Sequence, residues 1–261
     1  MIPYFTVTTI PFWPLPIRVW GLLVAIGILV ATAVAWREAK RRGLDGEEML
    51  DFVAVTVIAG AIGARVGFLL FYAGGETWLD PLSAFRVWEG GMSLFGAVLG
   101  VAVALLILRR RLGGSLWSYA EVAAFAYPLG EGIGRLGCFL IHDHPGIRTN
   151  FFLAVAFPDG PRLDHGLLLS LAFLLVFLLF LVLNRRHPAP PFFLPWLLIL
   201  WGALRFGLDF LRVSDLPGSD ARYWGLTPAQ YGGFLMLVVG TVWFVRRRRA
   251  KGQIKSAAPS A

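Results

Sequence analysis

Apolar runs of about the length needed to cross a bilayer recur along this chain, and no other feature limits its fold as strongly. A hydrocarbon core of roughly 30 Å takes about 20 helical residues at about 1.5 Å each. Hydropathy gives seven candidate spans: Ile17 to Trp36, Asp51 to Tyr72, Gly91 to Leu108, Trp117 to Ile141, Gly166 to Asn184, Phe192 to Leu211 and Pro228 to Val245. Only 15% of the residues are charged, against about 25% in a soluble domain. The expected class is an all-α polytopic transmembrane helix bundle, forming one domain over 1–261.

A net charge of +8 would suit nucleic acid, but the basic residues cluster between the apolar runs and so report topology. Arg37, Lys40, Arg41, Arg42, Arg109 to Arg111, Arg185, Arg186 and Arg246 to Arg249 all fall on one side. Basic loops stay in the cytoplasm, so the C-terminus is cytoplasmic, and an odd number of spans puts the N-terminus outside. Met1 to Pro16 carries no Lys or Arg, which argues against a cleaved signal peptide. Cys138 is the single cysteine, so no internal disulfide forms.

Two outer loops are long enough to hold structure. Residues 74–90 carry Trp78, Phe85 and Trp88 and are expected to lie at the headgroup level as an interfacial segment. Residues 142–165 are the largest hydrophilic stretch and are expected to form a small periplasmic cap. Residues 250–261 read as a disordered cytoplasmic tail. The last span opens with Thr227, Pro228 and Gln230, the chemistry of a capping box with Pro at the first helical position.

Ionisable groups inside the spans carry the functional signal, because an Arg near the bilayer centre costs at least about 2.5 to 3.5 kcal/mol. Arg65 lies in the second span, Glu131 and Arg135 in the fourth, Arg205 and Asp209 in the sixth. Counting from the cytoplasmic ends puts the three arginines in the outer half at a shared depth. Glu131 with Arg135, and Arg205 with Asp209, stand four residues apart and can pair on one helix face. These groups either lock the bundle structurally or line a cavity that binds an anion, since Arg matches phosphate oxygens with two parallel hydrogen bonds. Glycines surround two of them: Gly60, Gly63 and Gly67 flank Arg65, and Gly130, Gly132, Gly134 and Gly137 surround Arg135.

Several stretches resemble the prolipoprotein diacylglyceryl transferase family. Phe85 to Gly100, FRVWEGGMSLFGAVLG, is similar to its FRVWxGGMSFHGG segment, and Gly134 to Leu140, GRLGCFL, to its GRIGNFIN signature. Arg205 to Arg212, RFGLDFLR, resembles its R-x-x-x-E-F-x-R segment. The resemblance implies transfer of a diacylglyceryl group from phosphatidylglycerol to the lipobox cysteine of a prolipoprotein signal peptide. That places the protein in a bacterial inner membrane, with no cofactor, metal or nucleic acid expected. It also implies Arg135, Arg205, Asp209 and Asp143 as catalytic positions; His142 joins them as a replacement base, and Arg65, Gly91, Ser93, Gly134 and Glu131 are the candidate substrate-binding residues.

The chain departs from the family pattern at Phe95, Trp20 and Cys138, where the family carries His, Tyr and Asn, and at RLDHGLLL from Arg162, where it carries R-H-P-S-Q-L-Y-E. His142, Asp143, His144 and His165 are the candidate replacement bases, with solvated loop residues as the plain alternative. A metal held by His142, Asp143 and His144 is disfavoured because adjacent positions rarely converge on one ion. Cys138 is either a thiol beside Arg135 or a small apolar helix residue. Two rival functions stay open: a non-catalytic lipid- or lipoprotein-binding protein on the same scaffold, and an anion transporter, for which an inverted repeat would be expected.

Overall fold

A computed structural model describes residues 1–12, 16–71, 91–186, 188, 190–213 and 222–256, with all side chains except those of 71, 94 and 249–256. The interfacial segment expected over 74–90 lies outside the described residues.

The described chain is mostly helical: α1 (Val19–Arg41), α2 (Gly46–Phe71), α3 (Leu94–Leu112), α4 (Leu116–Ile141), α5 (His165–Asn184), α6 (Phe193–Leu208) and α7 (Pro228–Ser256). Short 3-10 turns occupy Gly113–Ser115 and Asp209–Leu211. Among the described residues, five helices are long and apolar enough to cross a membrane: α1, α2, α5, α6 with its 3-10 extension, and α7. The remaining two, α3 and α4, have 19 and 26 residues, but α3 ends in three arginines and α4 carries Glu121, Glu131 and Arg135.

The helices overrun the apolar stretches because caps, not hydropathy, set their ends. Asp45 accepts the Glu47 N–H (2.7 Å), so α2 begins at Gly46, five residues before the apolar run. Ser93 caps α3 by accepting the Gly96 N–H (3.3 Å), which moves that start from Gly91 to Leu94. The expected capping box at α7 is reciprocal: the Thr227 N–H donates to Gln230 Oε1 (2.9 Å) and the Gln230 N–H to Thr227 Oγ1 (3.2 Å). α7 then runs through Ser256, into the segment read from sequence as a disordered tail.

The chain divides into two units. In the unit Thr32–Ala123, α2 and α3 meet along a glycine seam. A Cβ on Gly67 would lie 2.7 Å from the Gly96 Cα, an approach that only small residues permit. The α1–α2 turn closes at Gly43 (φ +74°), whose N–H donates to the Lys40 carbonyl (3.1 Å). Tyr119 donates to Glu48 Oε2 (2.8 Å), tying the start of α4 to α2.

The second unit, Met1–Ala31 with Ala124–Ala261, holds the start of α1, the rest of α4 and α5 to α7. Gly27 meets Gly130, the Ser170 hydroxyl donates to the Gly132 carbonyl (2.8 Å), and Gly202 meets Gly233, so α1 and α5 pack on α4, and α6 on α7. Between α4 and α5 the chain forms an antiparallel sheet: β3 (Pro145–Arg148), β4 (Val155–Phe157) and β5 (Gly160–Asp164), in the order β3-β5-β4. A second hairpin pairs β1 (Thr9–Ile10) with β2 (Ile17–Arg18). The fold is thus helical with a small β cap, not all-α. Pro145, Pro158 and Pro161 with Gly146 and Gly160 break the segment for helix, and Phe157 pairs with Gly160 across the tight turn Pro158–Asp159. Arg162, 1% exposed, fastens the cap through Asp159 (2.8 Å) and the Gly146 carbonyl (3.2 Å).

Candidate active site

Asp209 is fully buried where α6 gives way to its 3-10 turn. Its Oδ2 accepts the Thr227 hydroxyl from the α7 cap. Around its Oδ1 stand Arg205 Nη2 at 3.7 Å, Arg212 Nη1 at 3.8 Å and His165 Nε2 at 3.8 Å. The expected Arg205–Asp209 pair therefore exists, but as one limb of a wider cluster. Those three separations exceed hydrogen-bond length, so the two guanidiniums attract the carboxylate without being locked to it, and the imidazole joins as a charge only when protonated. Both His165 nitrogens are buried and lack a hydrogen-bond partner among the described residues.

On α4 the expected pair is tighter. Arg135 Nε donates to Glu131 Oε1 at 2.9 Å, and Glu131 Oε2 also accepts the Tyr127 hydroxyl at 3.0 Å. Their side chains stay 26% and 20% exposed, so the pair keeps an open edge. Arg135, Arg205, Arg212 and His144 all lie within electrostatic reach of the His165 ring, which links the α4 and α6 arginines in one neighbourhood.

At the exit of α4, His142 takes a left-handed backbone (φ +51°) and turns its ring inward. Nδ1 contacts Asp164 Oδ2 at 2.7 Å, and the ring stacks on Tyr4 (5.0 Å) with Phe139 and Phe157 at its edges. The other carboxylate oxygen, Oδ1, caps α5 through the Leu167 N–H (2.9 Å). Burial pushes the Asp164 carboxyl above its ordinary range, opposed by the hydrogen bonds from His142 and Leu167. His142 and His165 are therefore buried groups, not solvated loop residues. Asp143 and His144 touch each other and remain partly exposed.

Arg65 belongs to the other unit, where Nη1 donates to the Gly91 carbonyl (3.0 Å) and the guanidinium rests against Phe68. Gly91 has φ +78°, and a Cβ there would meet the Phe68 ring at 2.5 Å. Ser93 is buried as the α3 cap. Gly134 differs from its neighbours: a Cβ would find nothing nearer than Val24 at 3.7 Å, whereas at Gly130 it would lie 2.9 Å from the Gly27 carbonyl. Sequence reasoning passed over Arg212, Asp164 and Tyr127 as site partners. Arg212 was visible inside the RFGLDFLR stretch and Tyr127 one helical turn before Glu131; the pairing of Asp164 gives no signal until the chain is folded.

Residues 7–248 match the family model for prolipoprotein diacylglyceryl transferase. The chain belongs to that family. Among the relatives of this diacylglyceryl transferase family member, the phosphatidylglycerol--prolipoprotein diacylglyceryl transferase of Photobacterium profundum is 35% identical, covering 77% of this chain and 78% of its own length. Those of Mannheimia succiniciproducens and Pasteurella multocida are 31% and 33% identical, covering 97% and 92% of this chain and 97% and 91% of their own.

Proposed function

We propose that this chain transfers the diacylglyceryl group of phosphatidylglycerol to the lipobox cysteine thiol of a prolipoprotein. It is a multi-pass membrane protein, and on this reading it sits in a bacterial inner membrane. α3 and α4 bring the spans to seven, with the N-terminus outside and the C-terminus cytoplasmic. Relatives named as transferases, matched along nearly the whole chain, favour catalysis over a binding-only scaffold.

In the reaction the thiolate sulfur forms a bond to the terminal glycerol carbon, the bond from that carbon to the phosphate oxygen breaks, and glycerol phosphate departs. The thiol proton must be taken up and the growing charge on the leaving phosphate must be met by fixed positive groups. Arg135 and Arg205 meet that charge, and Asp209 with Arg212 orients Arg205. Glu131 and Gly134 border the lipid headgroup, and Arg65, Gly91 and Ser93 of the other unit are further candidate substrate-binding residues. His142, with Asp164 on Nδ1 and an Nε2 that no described residue bonds, is the candidate proton acceptor, and Asp143 is its neighbour in that role. The observation that carries the reading is the placing of Arg205, Arg212 and His165 around the buried Asp209 carboxylate, with Arg135 within electrostatic reach of the same histidine.

Reconstitution with phosphatidylglycerol vesicles and a lipobox peptide tests it. The unaltered protein yields thioether-linked peptide, and Arg135→Ala lowers the rate by about 100-fold or more. No product from the unaltered protein, verified as folded, overturns the reading.

A further inference from the structure

We propose that Cys138, Asp143 and His144 form a binding site for a zinc-like divalent ion at the end of α4. The inference concerns metal binding and does not depend on the transfer reaction. One ligand atom from each of the three residues, a sulfur, a carboxylate oxygen and a ring nitrogen, lies within 4.8 Å of the others. A zinc ion with ligand bonds of about 2.0 to 2.3 Å spans donors about 3.5 Å apart, so modest side-chain adjustment closes the site.

Adjacent residues ordinarily fail to converge on one ion, and here the backbone removes that objection. His142 sits in the left-handed region (φ +51°), an uncommon conformation for a residue with a side chain, and reverses the chain as it leaves α4. His142 itself points into the protein, onto Asp164 at 2.7 Å and the Tyr4 ring. The two residues after it fold back over Cys138, three positions before the helix end. The turn is anchored on its far side as well: the His144 carbonyl accepts the His165 N–H at 3.0 Å. Gly166 presses so closely on α4 that a Cβ there would lie 2.5 Å from the Phe139 nitrogen. The three donors are therefore held by packed structure on both sides, which is the preorganisation an ion site needs.

The donor chemistry selects the ion. Calcium and magnesium take oxygen ligands, whereas one thiolate, one imidazole and one carboxylate match zinc and its late first-row neighbours. Cys138 is 5% exposed and His144 Nδ1 is buried, while the Asp143 side chain is 31% exposed, so the cluster is closed at the sulfur and the ring nitrogen and open along Asp143. Three protein ligands with an open side leave a fourth position for water or an external ligand. Arg135 is the nearby charge that opposes a cation, and its guanidinium is already engaged by Glu131 at 2.9 Å. Binding exchanges the thiol proton, released to solvent, for the metal–sulfur bond.

The test uses the full chain in detergent, chelator-stripped and freed of any purification tag, titrated with cobalt(II) by absorbance and with zinc(II) by calorimetry. The expected result is one ion per chain with a sulfur-to-cobalt charge-transfer band that zinc displaces. Cys138→Ser removes the band. His144→Ala, a change at a partly exposed side chain, weakens binding at least about tenfold in protein whose Tm matches the parent. Asp159→Asn, whose carboxylate pairs instead with Arg162, binds like the parent. Absence of the band, or a band that survives either Cys138→Ser or His144→Ala, overturns the proposal. Because the readout is the ion itself, an inactive transferase would leave this inference standing, and an empty site would leave the transfer reading standing.

Discussion

Replacing Thr227 with Val keeps the volume and shape of the side chain and deletes only the hydroxyl. That hydroxyl has two partners: it accepts the Gln230 N–H at the α7 cap (3.2 Å) and donates to Asp209 Oδ2. All three residues are at most 1% exposed, so no water replaces the lost bonds. Loss of an N-cap hydroxyl costs about 1 kcal/mol. Stripping a buried carboxylate oxygen of its donor adds about 1 to 3 kcal/mol. The expected destabilisation is therefore about 2 to 4 kcal/mol, which for a chain of this size lowers Tm by on the order of 10 °C. Thr227→Ser keeps the hydroxyl and is expected to cost less than about 1 kcal/mol, a missing methyl alone. Thermal unfolding followed by tryptophan fluorescence in detergent measures both variants side by side. Since Asp209 also faces Arg205, Thr227→Val is further expected to slow transfer more than Thr227→Ser does. A Val variant that melts with the parent, or a Ser variant that melts as low as Val, refutes the claim that this hydroxyl holds Asp209 in place.

Three further outcomes follow from the geometry. Gly134→Ala meets no neighbour nearer than 3.7 Å and leaves Tm unchanged, while Gly130→Ala pushes into the Gly27 carbonyl and destabilises by about 1 to 3 kcal/mol; a rate loss in the stable Gly134 variant would place substrate at that position. His142→Phe preserves the stack on Tyr4, deletes the proton acceptor and strips Asp164 Oδ2 of its partner at a cost of about 1 to 3 kcal/mol, so transfer falls by about 100-fold or more while the helix content by circular dichroism is kept; an unchanged rate assigns the base elsewhere. The Arg162 guanidinium holds the Asp159 carboxyl below its ordinary 3.8, so its contribution to the cap is present above pH 3.8 and is lost as pH falls through the lowered value. Hydrogen exchange of the β5 amides reports this, and Asp159→Asn is expected to flatten the acid dependence. Persistence of the same dependence in that variant would rule the pair out.

Much of the fold was legible because a bilayer imposes a length and a composition that a single pass along the chain detects. Each expected span overlaps a described helix, five of them long and apolar enough to cross a membrane, and their ends differ where polar caps such as Asp45 and Ser93 carry the helix beyond or short of the apolar run. The capping box at Thr227 was readable for the same reason, as it is local chemistry within four residues. The cap between α4 and α5 was legible as a structured segment but not as a sheet, because strand pairing joins Val155 to Arg162 and Pro145 to Asp164 through contacts that no local period announces.

The site divides along the same line. Sequence alone determined the helical membrane scaffold, the family and the Glu131–Arg135 pair, since lipid-length hydropathy, motif spacing and one turn of helix are properties of neighbouring residues. Tertiary structure alone decided that Asp209 serves Thr227, Arg205, Arg212 and His165 together, that His142 turns inward to Asp164, and that Asp143 and His144 return to Cys138. Those arrangements depend on where α5, α6 and α7 pack and on one left-handed residue, and such distances are set by packing between segments remote in the chain.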